Sequence, residues 1–234
     1  MIEPRPFATL GRFDNDWLTA RYHFSFAGYH DPARMGVGPL RVWNDDRIDV
    51  GGGFDLHGHR DMEIITYVRR GALAHRDHLG NEGRIAAGEV QVMSAGNGIM
   101  HSEHNAGGAE ATELFQIWVE PRERSVAPRW ETRPAVDGAP GTFHVLASGR
   151  PADRDLDVPA IGQDAALLRA SVAAGATTDY RLAAGRSAYA VVAEGQVTLN
   201  GTDLSARDGA VARDAGDLSL TALADSVVLL MDLP

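Results

Sequence analysis

Short runs rich in Val, Ile, Leu and Tyr recur along the chain, and a glycine or a turn cluster cuts each one before it reaches helical length. Ile64 to Val68, Val90 to Met93, Leu114 to Val119, Ala188 to Val192 and Val227 to Met231 read as strands. Gly80-Asn81-Glu82-Gly83 and Asn200-Gly201 read as turns between such runs. With 26 glycines spread over 234 residues and scarce apolar repeat at helical spacing, the chain is expected to be all-β, a sandwich or a barrel.

A proline-rich stretch divides it. Pro121, Pro128, Pro134 and Pro140 lie among charged and small residues, a linker composition. The two sides form a weak repeat: Gly71, Gly88 and Ser94-Ala95-Gly96 on one side answer to Gly195, Gly209 and Asp214-Ala215-Gly216 on the other. Two similar β-domains are expected, 1–125 and 126–234.

Composition narrows the chemistry. There is no cysteine, which excludes disulfides, thiolate nucleophiles, iron–sulfur clusters and cysteine zinc sites. All 22 basic residues are arginine, so Schiff-base chemistry and a P-loop lysine are also excluded. The net charge of −10 repels a phosphate backbone, and direct nucleic-acid binding is not expected. No apolar run reaches the ~20 residues of a membrane span, and Met-Ile-Glu-Pro-Arg-Pro-Phe has no apolar signal core. The expectation is a cytoplasmic protein without membrane contact.

Histidine carries what remains. Six of the nine histidines fall between His57 and His104. Alternate residues of a strand share a face, so His57 and His59 should point together, and Glu63 with them by parity. His101 and Glu103 repeat the spacing about forty residues on. If the two strands are neighbours, five ligands converge, a set suited to Fe(II), Ni(II), Cu(II), Mn(II) or Zn(II). Spacing alone does not choose between the two glutamates. His75, His78 and His104 flank the cluster and read as turn, surface or supporting residues. His23, His30 and His144 read as structural, and Trp17, Trp43, Trp118 and Trp130 as core or interface. Gly96-Asn97-Gly98 reads as a tight turn that aims His101 inward.

Gly51, His57, His59 and Glu63 stand at the spacing of the first cupin motif, closed by Gly71 one place late. Gly88, Gly96, His101 and Asn105 resemble the second, with Ser94 in place of its proline and one extra residue before His101. Those departures and the string His101-Ser102-Glu103 resemble the pirins. So do Phe24-Ser25-Phe26, Gly38 to Asp46, Arg60 to Glu63, Thr66 to Val68, His75-Arg76-Asp77, Leu79-Gly80-Asn81 and Met93 to Gly96. The likeness to bacterial pirin-like bicupins is strong from about Gly11 to Glu120 and only architectural beyond. Gly58 and His78 depart from the usual proline and serine without removing a ligand.

The resemblance implies an all-β bicupin of two jelly-roll domains. It implies that His57, His59, His101 and Glu103 hold one divalent transition metal per chain, Fe(II) first, with Ni, Cu, Mn or Zn compatible; Glu63 would then be supporting or spare. Arg181, Ala183 and Ser187 occupy the matching places of the second half, which is expected to bind no metal. The implied activity is that of a quercetin 2,3-dioxygenase, opening a flavonol or related phenolic with O2, with Glu103, or Glu63 if free, as base. The alternative is a metal-dependent regulatory module that binds a protein partner without turnover.

Overall fold

A computed structural model describes residues 1–134 and 138–234. The described chain is strand throughout, apart from loops and two short 3-10 turns at Phe7–Thr9 and Pro151–Asp153. It forms two jelly-roll sandwiches, as expected, with the sheets of each half facing one another rather than closing into a barrel. Every expected strand lies within an observed one, and Asn200-Gly201 makes the two-residue turn between Gln196–Leu199 and Thr202–Ser205, with φ of 44° and 79°. The other expected turn sits early: the chain reverses at His78 to Gly80, and Glu82 already begins strand Glu82–Ala86.

In the first half a four-stranded sheet runs in the order Gly53–His59, Ile99–Asn105, Ala72–Asp77, Glu82–Ala86. It faces a seven-stranded sheet whose centre is Glu89–Ser94, Glu63–Arg70, Thr112–Val119 and Leu40–Ile48. The second half repeats this with six and four strands.

The large sheets of the two halves pack against each other. Ile65, Tyr67, Phe115, Ile117 and Trp43 from the first meet Tyr189, Val191, Leu229 and Met231 from the second in one buried cluster. This explains the unbroken apolar runs. Glu63–Arg70 is buried on both faces, Ile65 and Tyr67 turning to the other half while Thr66 and Val68 turn inward. Each such large side chain contributes about 1.5–3 kcal/mol by leaving water.

Two segments lie across the 125/126 division. Ile2–Arg5 pairs with Gly209–Arg213 at the edge of the six-stranded sheet. Arg129–Pro134 pairs with Glu89–Ser94 at the edge of the seven-stranded sheet. The proline-rich stretch is therefore not only linker: part of it is a strand of the first half, and residues 135–137 lie outside the described residues. Among the described residues no helix is long and apolar enough to cross a membrane.

Candidate metal centre

Strand Ile99–Asn105 sits between two partners, and the registers on its two sides assemble the cluster. On one side His101 pairs directly with His57, and a bulge before Glu103 then sets it opposite Phe54. On the other side His101 pairs with Asp77 and Glu103 with His75. The tight turn before the strand has the role expected of it. Gly96 adopts φ 48°, where a Cβ would lie 2.2 Å from the Val126 carbonyl oxygen, so no other residue fits.

The side chains form two overlapping groups. His57, His59 and His101 each bring one ring nitrogen within 4.8 Å of the others, and a ring nitrogen of His75, one of His101 and a carboxylate oxygen of Glu103 do the same. His101 is common to both. His57 and His101 ring centres are 4.4 Å apart, and His59 and His101 5.0 Å. His75, read from sequence as a flanking residue, is buried here with its Nε2 3.3 Å from Asp77 Oδ2. His78 and His104 stay outside both groups.

Glu63 does not join them. The strand of His57 ends at His59, Asp61 turns the chain at φ 49°, and Glu63 opens a strand of the opposite sheet. Parity along one strand fails because there is no longer one strand. The Glu63 carboxylate accepts from Ser94 Oγ at 2.6 Å and from the Gly162 amide at 2.9 Å, with the Arg129 guanidinium 3.6 Å away. It fastens the second half to the first and is not a free base.

Glu103 is held on both oxygens. Gln91 Nε2 donates to Oε1 at 2.6 Å and Gln116 Nε2 donates to Oε2 at 2.7 Å. Each amide is itself held by an indole: Trp130 Nε1 donates to Gln91 Oε1 at 2.8 Å, and Trp118 Nε1 to Gln116 Oε1 at 3.3 Å. Trp130 also stacks on His75, centres 5.0 Å apart and planes at 14°. Gly83 makes room for it, since a Cβ there would lie 2.4 Å from the indole ring. Trp118 and Trp130 thus have roles beyond the core packing expected of them, while Trp43 is core.

The electrostatics favour a cation. Burial opposes ionisation of Glu103, but the His75 imidazole, the field of His101 and the Gln116 amide hold its carboxyl down at about 2. Burial and the neighbouring His57 hold His59 at about 4 against the pull of Glu103. Burial likewise holds His101 at about 4. Neutral imidazoles beside an ionised carboxylate are the state a ligand set requires. His57 Nδ1 donates to the Asp55 carbonyl at 2.7 Å, which leaves Nε2 with its lone pair. His101 Nε2 is buried without a hydrogen-bond partner. An orphaned imidazole nitrogen among these donors fits a divalent transition metal.

A cavity of about 180 Å³ opens beside His57, His59 and Glu103. Leu18, Ala20, Phe26, Phe54 and Trp118 give it apolar walls, and Tyr22, Asn44, Asp46 and Gln116 are its other polar residues. Burial, with Asp45 and Glu103 nearby, pushes the Asp46 carboxyl well above its usual range. In the second half the places of the histidines hold Arg181 and Ala183 beside an open hollow, over a core of Leu182, Leu199, Leu218 and Leu220. Among the described residues neither donor group extends beyond Glu103.

Comparison with known proteins settles the family. A pirin-like protein of Caulobacter vibrioides is 51% identical over 233 residues, 99% of each chain. A family model described as pirin matches residues 5–119, and one described as the quercetinase C-terminal cupin domain matches residues 145–233. The chain belongs to the pirin family. This pirin is also 42% identical over its whole length to an Escherichia coli protein named quercetin 2,3-dioxygenase, covering 99% of that protein. Its fold superimposes on the crystal structure of the E. coli bacterial pirin YhhW in complex with nickel(II), with TM-score 0.93, 41% identity and coverage of 100% and 99% of the two chains.

Proposed function

We propose that this pirin is a metal-dependent dioxygenase of the quercetin 2,3-dioxygenase type, acting on a flavonol or related phenolic with O2. The observation that carries the reading is the histidine and glutamate cluster, half-buried at His57 and His59 and buried at His101 and Glu103, opening onto an aromatic-walled cavity. The names of its relatives support it. His57, His59, His101 and Glu103 would hold one metal in the unit spanning 1–125, with none in 126–234. Iron is the metal expected; the nickel(II) complex of the E. coli pirin supports a site open to other divalent ions.

A divalent metal bound there supplies a Lewis acid for a phenolate oxygen and a path for electrons to O2. The protein supplies the rest. Glu103 would take the proton of the reacting hydroxyl only once a bound cation had made that hydroxyl acidic, and Gln91 and Gln116 keep the carboxylate ionised and aimed. Phe26, Phe54 and Trp118 receive the aromatic ring and exclude water.

Oxygen uptake by iron-loaded protein, with and without quercetin, tests this. Uptake should require quercetin and release carbon monoxide in step with substrate loss. Without O2, quercetin should alter the absorption spectrum of the loaded protein, and His101→Ala should abolish both effects while circular dichroism is unchanged. A fully loaded protein that consumes no oxygen with any flavonol would overturn the reading in favour of a partner-binding module.

A further inference from the structure

The cavity has a polar wall that the chemistry above does not use. Strand Leu40–Ile48 alternates: Asp45 faces the second half, where Arg69 and Arg207 hold it, while Asn44 and Asp46 face the cavity. Asn44 and Asp46 are each only 3% exposed. Asn44 Oδ1 and Asp46 Oδ1 are buried with no hydrogen-bond partner among the described residues.

One unpartnered buried oxygen is costly, and two on neighbouring residues that both line the same cavity would be relieved by a donor that reached them from it. The walls around them indicate what brings it. Leu18, Phe26, Phe54 and Trp118 suit the faces of an aromatic ring, and hydroxyls on its edge are the donors a phenolic ligand would bring to oxygens set among them. At about 180 Å³ the cavity is smaller than the common range for ligand pockets, about 300–1,000 Å³. A cavity this small would seat one ring of a flavonol, with Asn44 and Asp46 among the residues around that ring.

We propose that Asn44 and Asp46 are specificity-determining residues that select aromatic substrates bearing a hydroxyl beyond the one that reacts. The proposal rests on the dioxygenase reading of the site. A pocket built to hydrogen-bond a hydroxyl discriminates strongly against the analogue that lacks it.

The test is anaerobic titration of the nickel(II)-loaded protein with quercetin and with 3-hydroxyflavone, which keeps the skeleton and the 3-hydroxyl but lacks the other ring hydroxyls. Wild type should bind quercetin at least about tenfold more tightly. Asp46→Leu and Asn44→Leu should each erase most of that preference, leave 3-hydroxyflavone affinity within about threefold and keep full nickel content. Asp46→Asn, nearly isosteric, should keep an intermediate preference and decides the matter if the leucine variants do not fold. Equal binding of the two flavonols by wild type overturns the proposal and leaves the dioxygenase reading standing. An unchanged preference in the variants also overturns it, since an ordered water then fills the wall. Equal loss of both ligands overturns it as well, as a general packing effect. If neither flavonol binds fully loaded wild type, the dioxygenase reading fails and takes this one with it.

Discussion

The indole N–H of Trp130 donates to Gln91 Oε1 at 2.8 Å, and an indole nitrogen can only donate, so the Gln91 amide has one orientation. Its NH2 group must then face Glu103. An edge strand from the proline-rich stretch thereby aims a carboxylate deep in the first half. Trp130→Phe keeps a ring over His75 and removes only the donor. Metal affinity should fall about 10–100-fold, read by competition with a chelator. Unchanged affinity would mean that Gln91 is held by packing alone.

The two glutamates should separate cleanly. Glu103→Ala should leave the protein largely metal-free after reconstitution. Glu63→Ala should keep its metal and lower the melting temperature, because Glu63 holds Ser94 and Gly162 rather than the cluster. The reverse pattern in elemental analysis would return the ligand role to Glu63.

Reconstitution with Fe(II) or Ni(II) should give one metal per chain. Two per chain would show a second site that the leucine-filled second half does not offer. None would reject the ligand set.

Asp45 is fully buried between Arg69 and Arg207, one guanidinium from each half. Asp45→Ala takes from Arg207 its carboxylate partner and leaves Arg69 only the Glu113 carboxylate, 3.7 Å away, and should cost about 3 kcal/mol in urea unfolding, the low end for a broken buried pair because Arg207 is partly exposed. A loss under about 1 kcal/mol would show that solvent screens this contact as it does surface pairs.

His23 is buried with its Nδ1 2.7 Å from the Tyr189 hydroxyl, and burial, with Arg34, Arg207 and Arg5 nearby, holds it down at about 3. An unfolded histidine titrates near ~6.5, so below that pH the unfolded state binds the extra proton and stability must fall with falling pH. The slope reaches about 1.4 kcal/mol per pH unit and persists to about pH 3. The stability difference between wild type and His23→Asn should therefore shift by that slope from pH 6 to pH 5. Parallel curves would show that His23 is protonated in the fold.

Alternation within a strand is local, so the sequence makes His57 with His59, and His101 with Glu103, legible as pairs; the family resemblance joins them into one set, and the structure sets His101 opposite His57. Glu63 is misplaced by the same rule, since residues 60–62 leave the strand. Gln91, Gln116 and Trp130 carry no local signal. Their roles arise across sheets, between residues 12, 13 and 39 apart. Asn44 and Asp46 enter the sequence reading only within the Gly38 to Asp46 likeness, and it is the pairing of strand Leu40–Ile48 that buries them.

The pairing of Ile2–Arg5 with Gly209–Arg213 fixes the order in which the molecule can be completed. A ribosome emits residues 2–5 some two hundred residues before their partner exists. The first sandwich can fold while that strand waits, but the second cannot close its edge until synthesis is nearly done. A protease cut between the halves would strand an edge of the second sheet on the fragment that carries the first. The sheet exposed on the other fragment would offer its unpaired backbone to any chain that reached it.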